Sequence, residues 1–297
     1  MRGINGVESV VYGVADVDEC VRYFVDFGLP LVEHLPGVSA LFELEEGSSV
    51  VIRALQDTVV TGQKLVGYGV QQVYWGVPDQ IAFDRLVRKL RKATEVTVDA
   101  EGTAHFMDCD GIAMGIRIYP KKTIWGAPDP VNSYGNANRI NQHRKWRLKA
   151  NPKTIQHVVY QVPDPAASMA WYRDNLDFRL TDVQEGFGVF ARAPGTNDHH
   201  SIYWLKADLP FPGLDGKVRF NHVNYGVEDL DEVMVGANSW SVGAGRSPSG
   251  AWAATESQVL SSCISHARLV ATLSMEQTVM YWMIVGYRGR GMPVSER

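Results

Sequence analysis

Cysteine is scarce in this chain of 297 residues: Cys20, Cys109 and Cys263 are the only three. They are too few and too scattered for a disulfide framework or a thiolate zinc site. Long apolar runs are missing too, so nothing reads as a membrane-spanning helix, and the N-terminus lacks the apolar core of a signal peptide. A cytoplasmic location is the expectation. An excess of one charge is also absent. Lys and Arg number 29 against 33 Asp and Glu, and the net charge of −4 argues against a general nucleic-acid binder. What is present is core-forming residues. Hydrophobic residues make up 45% and charged ones 21%, a globular composition in a length that suits two domains.

The chain repeats itself. Glu8-Ser-Val-Val-Tyr-Gly-Val-Ala-Asp16 resembles Gln156-His-Val-Val-Tyr-Gln-Val-Pro-Asp164. Each reads as a strand that feeds a helix. Val17, Cys20, Val21 and Phe24 form one buried helical face, and the second copy carries Trp171, Tyr172, Leu176 and Phe178. A second pair matches at a similar offset: Val70 to Asp79 and Phe220 to Asp229, leading into helical stretches at Phe83 to Leu90 and Leu230 to about Ala237. Short β patterns begin at Ser39, Ser49, Gly188 and Ser201. The expected fold is α+β, with four strand–helix–strands units, two per domain. The expected boundaries are 1–120 for the first domain, 121–153 for a linker, 154–238 for the second domain and 239–297 for a tail of different character.

The repeats differ where chemistry would sit. Alignment sets Ser9 opposite His157 and Gln72 opposite His222. Histidine thus occupies both strand positions in the second domain and neither in the first, as expected if only one copy holds a metal. Two unrelated histidines are the alternative, against which the equivalence of the positions weighs. Imidazole suits divalent iron, manganese or zinc, and two His with one carboxylate leave coordination positions open.

These paired units resemble the vicinal-oxygen-chelate (glyoxalase/bleomycin-resistance) superfamily, and the two-domain arrangement resembles its type I extradiol ring-cleavage dioxygenases. The resemblance runs from about residue 4 to residue 238. It implies two tandem domains, each of two βαβββ units, the first free of metal. It implies that His157 and His222 ligate Fe(II), or alternatively Mn(II). Asp198-His199-His200 resembles the family's acid–base histidine segment. Spacing does not choose between His199 and His200; His199 is favoured. The implied reactants are a small aromatic diol and O2. A homo-oligomer with neither nucleic-acid nor membrane partners is expected. Phe187, Phe190, Tyr203 and Trp204 are candidate pocket walls, although strand alternation can put only half on either face.

Composition changes after Asn238. Residues 239–297 hold ten Ser and no Asp, Lys or Phe, and the family's third ligand, a glutamate in a Glu-Tyr context, is not recognisable there. A tail read one base out of register accounts for this. Met and Trp have single codons, so Trp252/Ala253 and Met275/Glu276 hide Gly. Met280/Tyr281 hides Val, Tyr281/Trp282 hides Leu, and Trp282/Met283 and Met283/Ile284 hide Asp. Unforced codons also permit a Gly-Arg-His segment and a glutamate spanning Leu273 and Ser274. The expectation is a frameshift near Asn238 to Ser241, with the carboxylate ligand and last strands lost. A divergent native tail, with a helix from Ser274 to Val285, is the alternative.

Three functions stay open: a ring-cleaving dioxygenase, active or disabled; another chemistry on the same scaffold, such as an isomerase or thiol transferase; and a metal-free binding module. The basic run from Arg139 to Lys149 reads as a linker or subunit contact before an anion site. His34, His105 and His143 read as structural or surface residues, and Cys109 lacks a basic neighbour to activate it.

Overall fold

The computed structural model describes residues 3–124, 134–135, 137, 146–211, 213–229, 231–236 and 267–269. Two mixed sheets carry the architecture. The first has the order β2-β3-β4-β1-β5-β8-β7-β6. Its strands are β1 (Gly6–Val14), β2 (Leu31–Leu35), β3 (Ser39–Glu43), β4 (Ser49–Ala54), β5 (Gly69–Val77), β6 (Val96–Val98), β7 (Ala104–Met107) and β8 (Ala113–Ile118). Helices α1 (Val17–Phe27) and α2 (Gln80–Leu90) follow β1 and β5. This is βαβββ twice.

The second sheet has the order β10-β11-β12-β9-β13-β14. Its strands are β9 (Thr154–Val162), β10 (Arg179–Gln184), β11 (Gly188–Arg192), β12 (Ile202–Lys206), β13 (Arg219–Gly226) and β14 (Ala267–Leu269). Helix α3 (Pro165–Leu176) follows β9, and residues 231–236 are helical after β13. The fold is therefore the expected α+β pair of tandem modules. In the second module, the final unit shows β13, the short helix and β14 among the described residues. Strand β14 pairs parallel with β13 at Val223, Asn224 and Tyr225, where β8 pairs with β5 in the first module. It comes from the span expected to be out of frame, so β13 is not the bare edge that loss of the last strands implied. Leu230, Ala237 and the rest of the tail lie outside the described residues.

Local chemistry explains the repeat. Each helix start is capped by the aspartate that closes the preceding strand motif: Asp16 accepts from Glu19 N–H, Asp79 from Ala82 N–H, and Asp164 from Ala166 and Ala167 N–H. Helix α1 ends at Gly28, whose φ of 104° is left-handed and whose N–H reaches Phe24 and Val25 carbonyls. A side chain there would also meet the Ala150 carbonyl at 2.0 Å, so the position fixes how the end of the linker crosses α1.

One core runs through both modules. Tyr12 and Tyr225 hydroxyls lie 3.3 Å apart, and Trp75 meets Phe178 edge-on at 5.1 Å. Burial of such aromatics, at roughly 25 cal/mol per Å2 of apolar surface, joins the two halves. Linker residue Arg147 is no solvated cation: it pairs with Glu228 at 3.1 Å and Asp229 at 2.9 Å. Arg139, His143, Arg144 and Lys145 lie outside the described residues. No helix among the described residues is long and apolar enough to cross a membrane.

A buried carboxylate sits at the junction. Asp108 accepts from the Asp110 and Ile112 backbone N–H groups and, across the junction, from the Tyr172 hydroxyl of α3, each at 2.9 Å. Burial first, then the Asp110 charge, pushes its carboxyl up to about 7. The folded value is raised, so the stability it contributes is present at low pH and lost as pH rises through about 7. Asp108→Asn is therefore expected to flatten the fall in melting temperature between roughly pH 4 and pH 7. Parallel melting curves for the two proteins would refute this. Cys109 between these aspartates is pushed up, the reverse of an activated thiol.

Candidate metal centre

Strand pleating divides the second sheet into two faces. Val158, Tyr160, Ile202, Trp204, Val223 and Tyr225 enter the common core. The opposite face carries a separate apolar cluster of Val159, Phe190 and Tyr203, with Leu205 packed against it. Of the four candidate wall aromatics, Phe190 and Tyr203 therefore line this face, stacked at 4.1 Å, while Trp204 is a core residue. Phe187 stacks instead on Phe211. The Tyr203 hydroxyl donates to Gln184 at 2.8 Å.

His157 on β9 and His222 on β13 lie side by side on that same face, their Nε2 atoms 3.3 Å apart. The register is that of the repeat: Val11 pairs with Gln72 in the first module, and Val159 with His222 in the second. Gln72 there is spent on local bonds, donating to the Thr58 carbonyl and accepting from Tyr74. Ser9 shares a hydrogen bond with Ser49.

Two nitrogens each about 2.0–2.1 Å from one divalent ion sit about 3 Å apart at a right angle, so the histidine pair fits two adjacent coordination positions. The Nδ1–H of His222 donates to Asn221 Oδ1 at 2.8 Å. That bond leaves a lone pair on Nε2, as ligation requires. Burial, then the charges of His222 and His199, hold His157 well below the usual imidazole range, so it stays neutral. Among the described residues no three His, Cys, Asp or Glu side chains converge to hold a metal. The span where a third ligand was sought, 239–297, lies outside them except for 267–269.

His200 joins the pair, its ring 4.0 Å from that of His157. His199 is one contact farther out: its Nδ1 lies 3.2 Å from His200 Nδ1, and its ring meets Phe190 edge-on at 5.5 Å. The residue favoured from sequence, His199, is thus the outer member, and His200 is the one beside His157. Both rings reach Phe190, and the two residues lie in the turn before β12, so strand alternation does not apply to them. His34 pairs with Asp18 and His105 with Asp99, away from this face, while His143 lies outside the described residues.

Residues 154–234 match the family described as Glyoxalase/Bleomycin resistance protein/Dioxygenase superfamily, and the second module is a domain of that superfamily. The two-module chain is similar to its type I extradiol dioxygenases. It is 27% identical over 140 residues to Metapyrocatechase 2 of Cupriavidus necator, covering 46% of this chain and 41% of that protein, so the match spans less than half of the curated relative. The fold is shared with a Mn(II)-bound glyoxalase from Novosphingobium aromaticivorans, at 20% identity and TM-score 0.59, covering 82% of this chain and 72% of that one. It is shared with the 2,3-dioxygenase LapB from Pseudomonas sp. KL28, at 16% identity and TM-score 0.57, covering 82% of each chain. A 2,2′,3-trihydroxybiphenyl 1,2-dioxygenase from Sphingomonas wittichii also shares it, at 15% identity and TM-score 0.56, with 82% and 80% covered.

Proposed function

We propose that this scaffold performs extradiol cleavage of a small aromatic diol with O2, and that His157 and His222 hold Fe(II), or alternatively Mn(II). The observation that carries this reading is the 3.3 Å approach of the two Nε2 atoms on the non-core face of the sheet. The metal, when bound, supplies a site where two adjacent oxygens of the diol and O2 meet, which turns a termolecular encounter into a local one. His157 and His222 would hold it through Nε2. Phe190 and Tyr203 offer an apolar wall for an aromatic ring. His200 is the proton carrier. Of the facing Nδ1 atoms, one must hold a proton and the other accept it. With His199 donating, His200 carries its proton on Nε2; with His200 donating, that Nε2 is bare and accepts one. The pair can thus pass a proton between His200, beside His157, and the more open His199.

The test is to load the chain anaerobically with Fe(II) or Mn(II), then measure bound metal and oxygen uptake with a panel of catechols. Metal bound with oxygen consumed supports the reading. Metal bound with no uptake on any catechol, but turnover of an isomerase or thiol-transfer substrate, would replace it. A metal-free or weakly metal-binding small-molecule binding role is the second reading, favoured by the lack of a third ligand among the described residues. His200→Asn is expected to slow any oxygen consumption by roughly 100-fold, and His199→Asn by less than about 10-fold. Steady-state rates at saturating diol check the order; a larger loss at His199 would reverse the two roles.

A further inference from the structure

We infer that Glu46 and Lys121, which belong to the metal-free half of the molecule, are positioning residues for the histidine cluster of the other half; the inference rests on the metal-site reading above. Glu46 lies in the turn between β3 and β4 and is 1% exposed. Its Oε1 accepts the Ile155 N–H at 2.8 Å and the Ser48 hydroxyl at 2.9 Å. Its own N–H donates to the Lys153 carbonyl at 3.2 Å. Ile155 stands two residues before His157 on β9. A carboxylate buried in the first module therefore fixes the start of the strand that carries one ligand, through a charge-assisted bond.

The other oxygen of Glu46 faces Lys121 Nζ at 3.0 Å, an ion pair short of an aligned hydrogen bond. Lys121 supplies the counter-charge that keeps this buried carboxylate in place, and Glu46 in turn ties down the strand of His157. The same turn carries the other histidines in the second half. Ser9 pairs with Ser49, and Val158 with Ile202, so Ser201 is the counterpart of Ser49, His200 of Ser48 and Asp198 of Glu46.

The turn is held at a further point. Gly195 N–H donates to the Ile4 carbonyl at 2.8 Å. A Cβ on Gly195 would meet that oxygen at 2.7 Å, so the first module abuts the backbone of the loop. Ligand geometry tolerates only a few tenths of an ångström, so such supports act on affinity without touching the metal.

The experiment uses the full chain and four variants: Glu46→Ala, Glu46→Gln, Lys121→Met, and Lys122→Met as a control at the exposed Lys122–Glu43 pair. Three quantities are read: imidazole 15N shifts of His157, His200 and His222, amide exchange at Ile155, and Mn(II) affinity by electron paramagnetic resonance. Glu46→Ala is expected to speed Ile155 exchange at least about 10-fold and move the His157 signals. Glu46→Gln, whose amide oxygen still accepts from Ile155, restores the protection. Lys121→Met, which leaves the Glu46 carboxylate without its counter-charge, loses part of the Ile155 protection and moves the His157 signals. Lys121→Met and Glu46→Ala each weaken Mn(II) binding by about 10-fold, and Lys122→Met does not. Unchanged His157 shifts in both Lys121→Met and Glu46→Ala, or failure of Gln to protect Ile155, overturn the inference. Should Glu46→Ala not fold, the other variants decide. If the unaltered chain binds no Mn(II), the metal-site reading fails, and the positioning role is judged on the shifts and the exchange alone.

Discussion

His157→Ala is expected to abolish measurable binding of Fe(II) or Mn(II) at micromolar metal, a loss of at least about 100-fold, and His222→Ala to do the same. Each histidine is one half of a pair whose nitrogens stand 3.3 Å apart, and one imidazole alone does not define a site. Their strands are otherwise well anchored. Val158 and Tyr160 follow His157 into the core, and Val223 follows His222, so alanine at either position is expected to leave the fold standing. Melting curves should accordingly stay near that of the parent in the absence of metal and lose any metal-induced rise. Asn221→Ala tests the layer behind: it frees the His222 tautomer and should cost about 10-fold in affinity. The check is a Co(II) or Mn(II) titration of all four proteins. Parent-like affinity in His157→Ala would show that any metal is bound elsewhere and would remove the basis of the site.

That pair was legible in the sequence because the chain supplies its own comparison. Ser9 and Gln72 mark the same strand positions in a copy without histidine there, and the register in both sheets agrees. Strands β3 and β4 were legible because one face is buried and alternation shows, and β11 and β12 as short apolar runs between turn residues, buried over most of their length. Strands β2 and β10 were not: β2 is exposed along its whole length and β10 along most of it, so burial imposes no period. The order of His199 and His200 was not legible either. A turn between β11 and β12 sets which ring swings inward, and a turn obeys contacts rather than periodicity. Glu46 gave no local signal. Its bond to Ile155 appears only when the two halves close on each other, 109 positions apart. Trp204 and Tyr203 show the limit of composition: neighbours of like character, one in the core and one on the opposite face of the sheet.

Restoring the reading frame after about Asn238 is expected to have the largest effect of all, converting weak metal binding into tight binding and conferring oxygen consumption on a catechol. Three observations motivate it. Composition breaks at residue 239, with ten Ser and no Asp, Lys or Phe beyond. The single codons of Met and Trp force Gly, Val, Leu and Asp in the alternative frame. The described residues supply two imidazoles and no converging third ligand. Under that reading, the restored strand would take the place that β14 holds here. Strand β14 lies parallel to β13 beside Val223, directly after His222, as β8 lies beside β5. A carboxylate placed on that strand, on the face of His222, would stand next to the pair. A third ligand on a preformed site adds to affinity without a new cost of ordering, so a gain of at least about 1,000-fold in Fe(II) affinity is expected. The hidden glutamate, changed to alanine in the restored protein, should return both quantities to the level of the present chain. Both proteins are expressed anaerobically with iron, and bound iron and oxygen uptake are compared. Equal iron occupancy and equal rates would mean that the tail is native and that the site is complete as two histidines. Tight iron binding without oxygen uptake on any diol would keep the metal centre but assign it to a different reaction on the same scaffold.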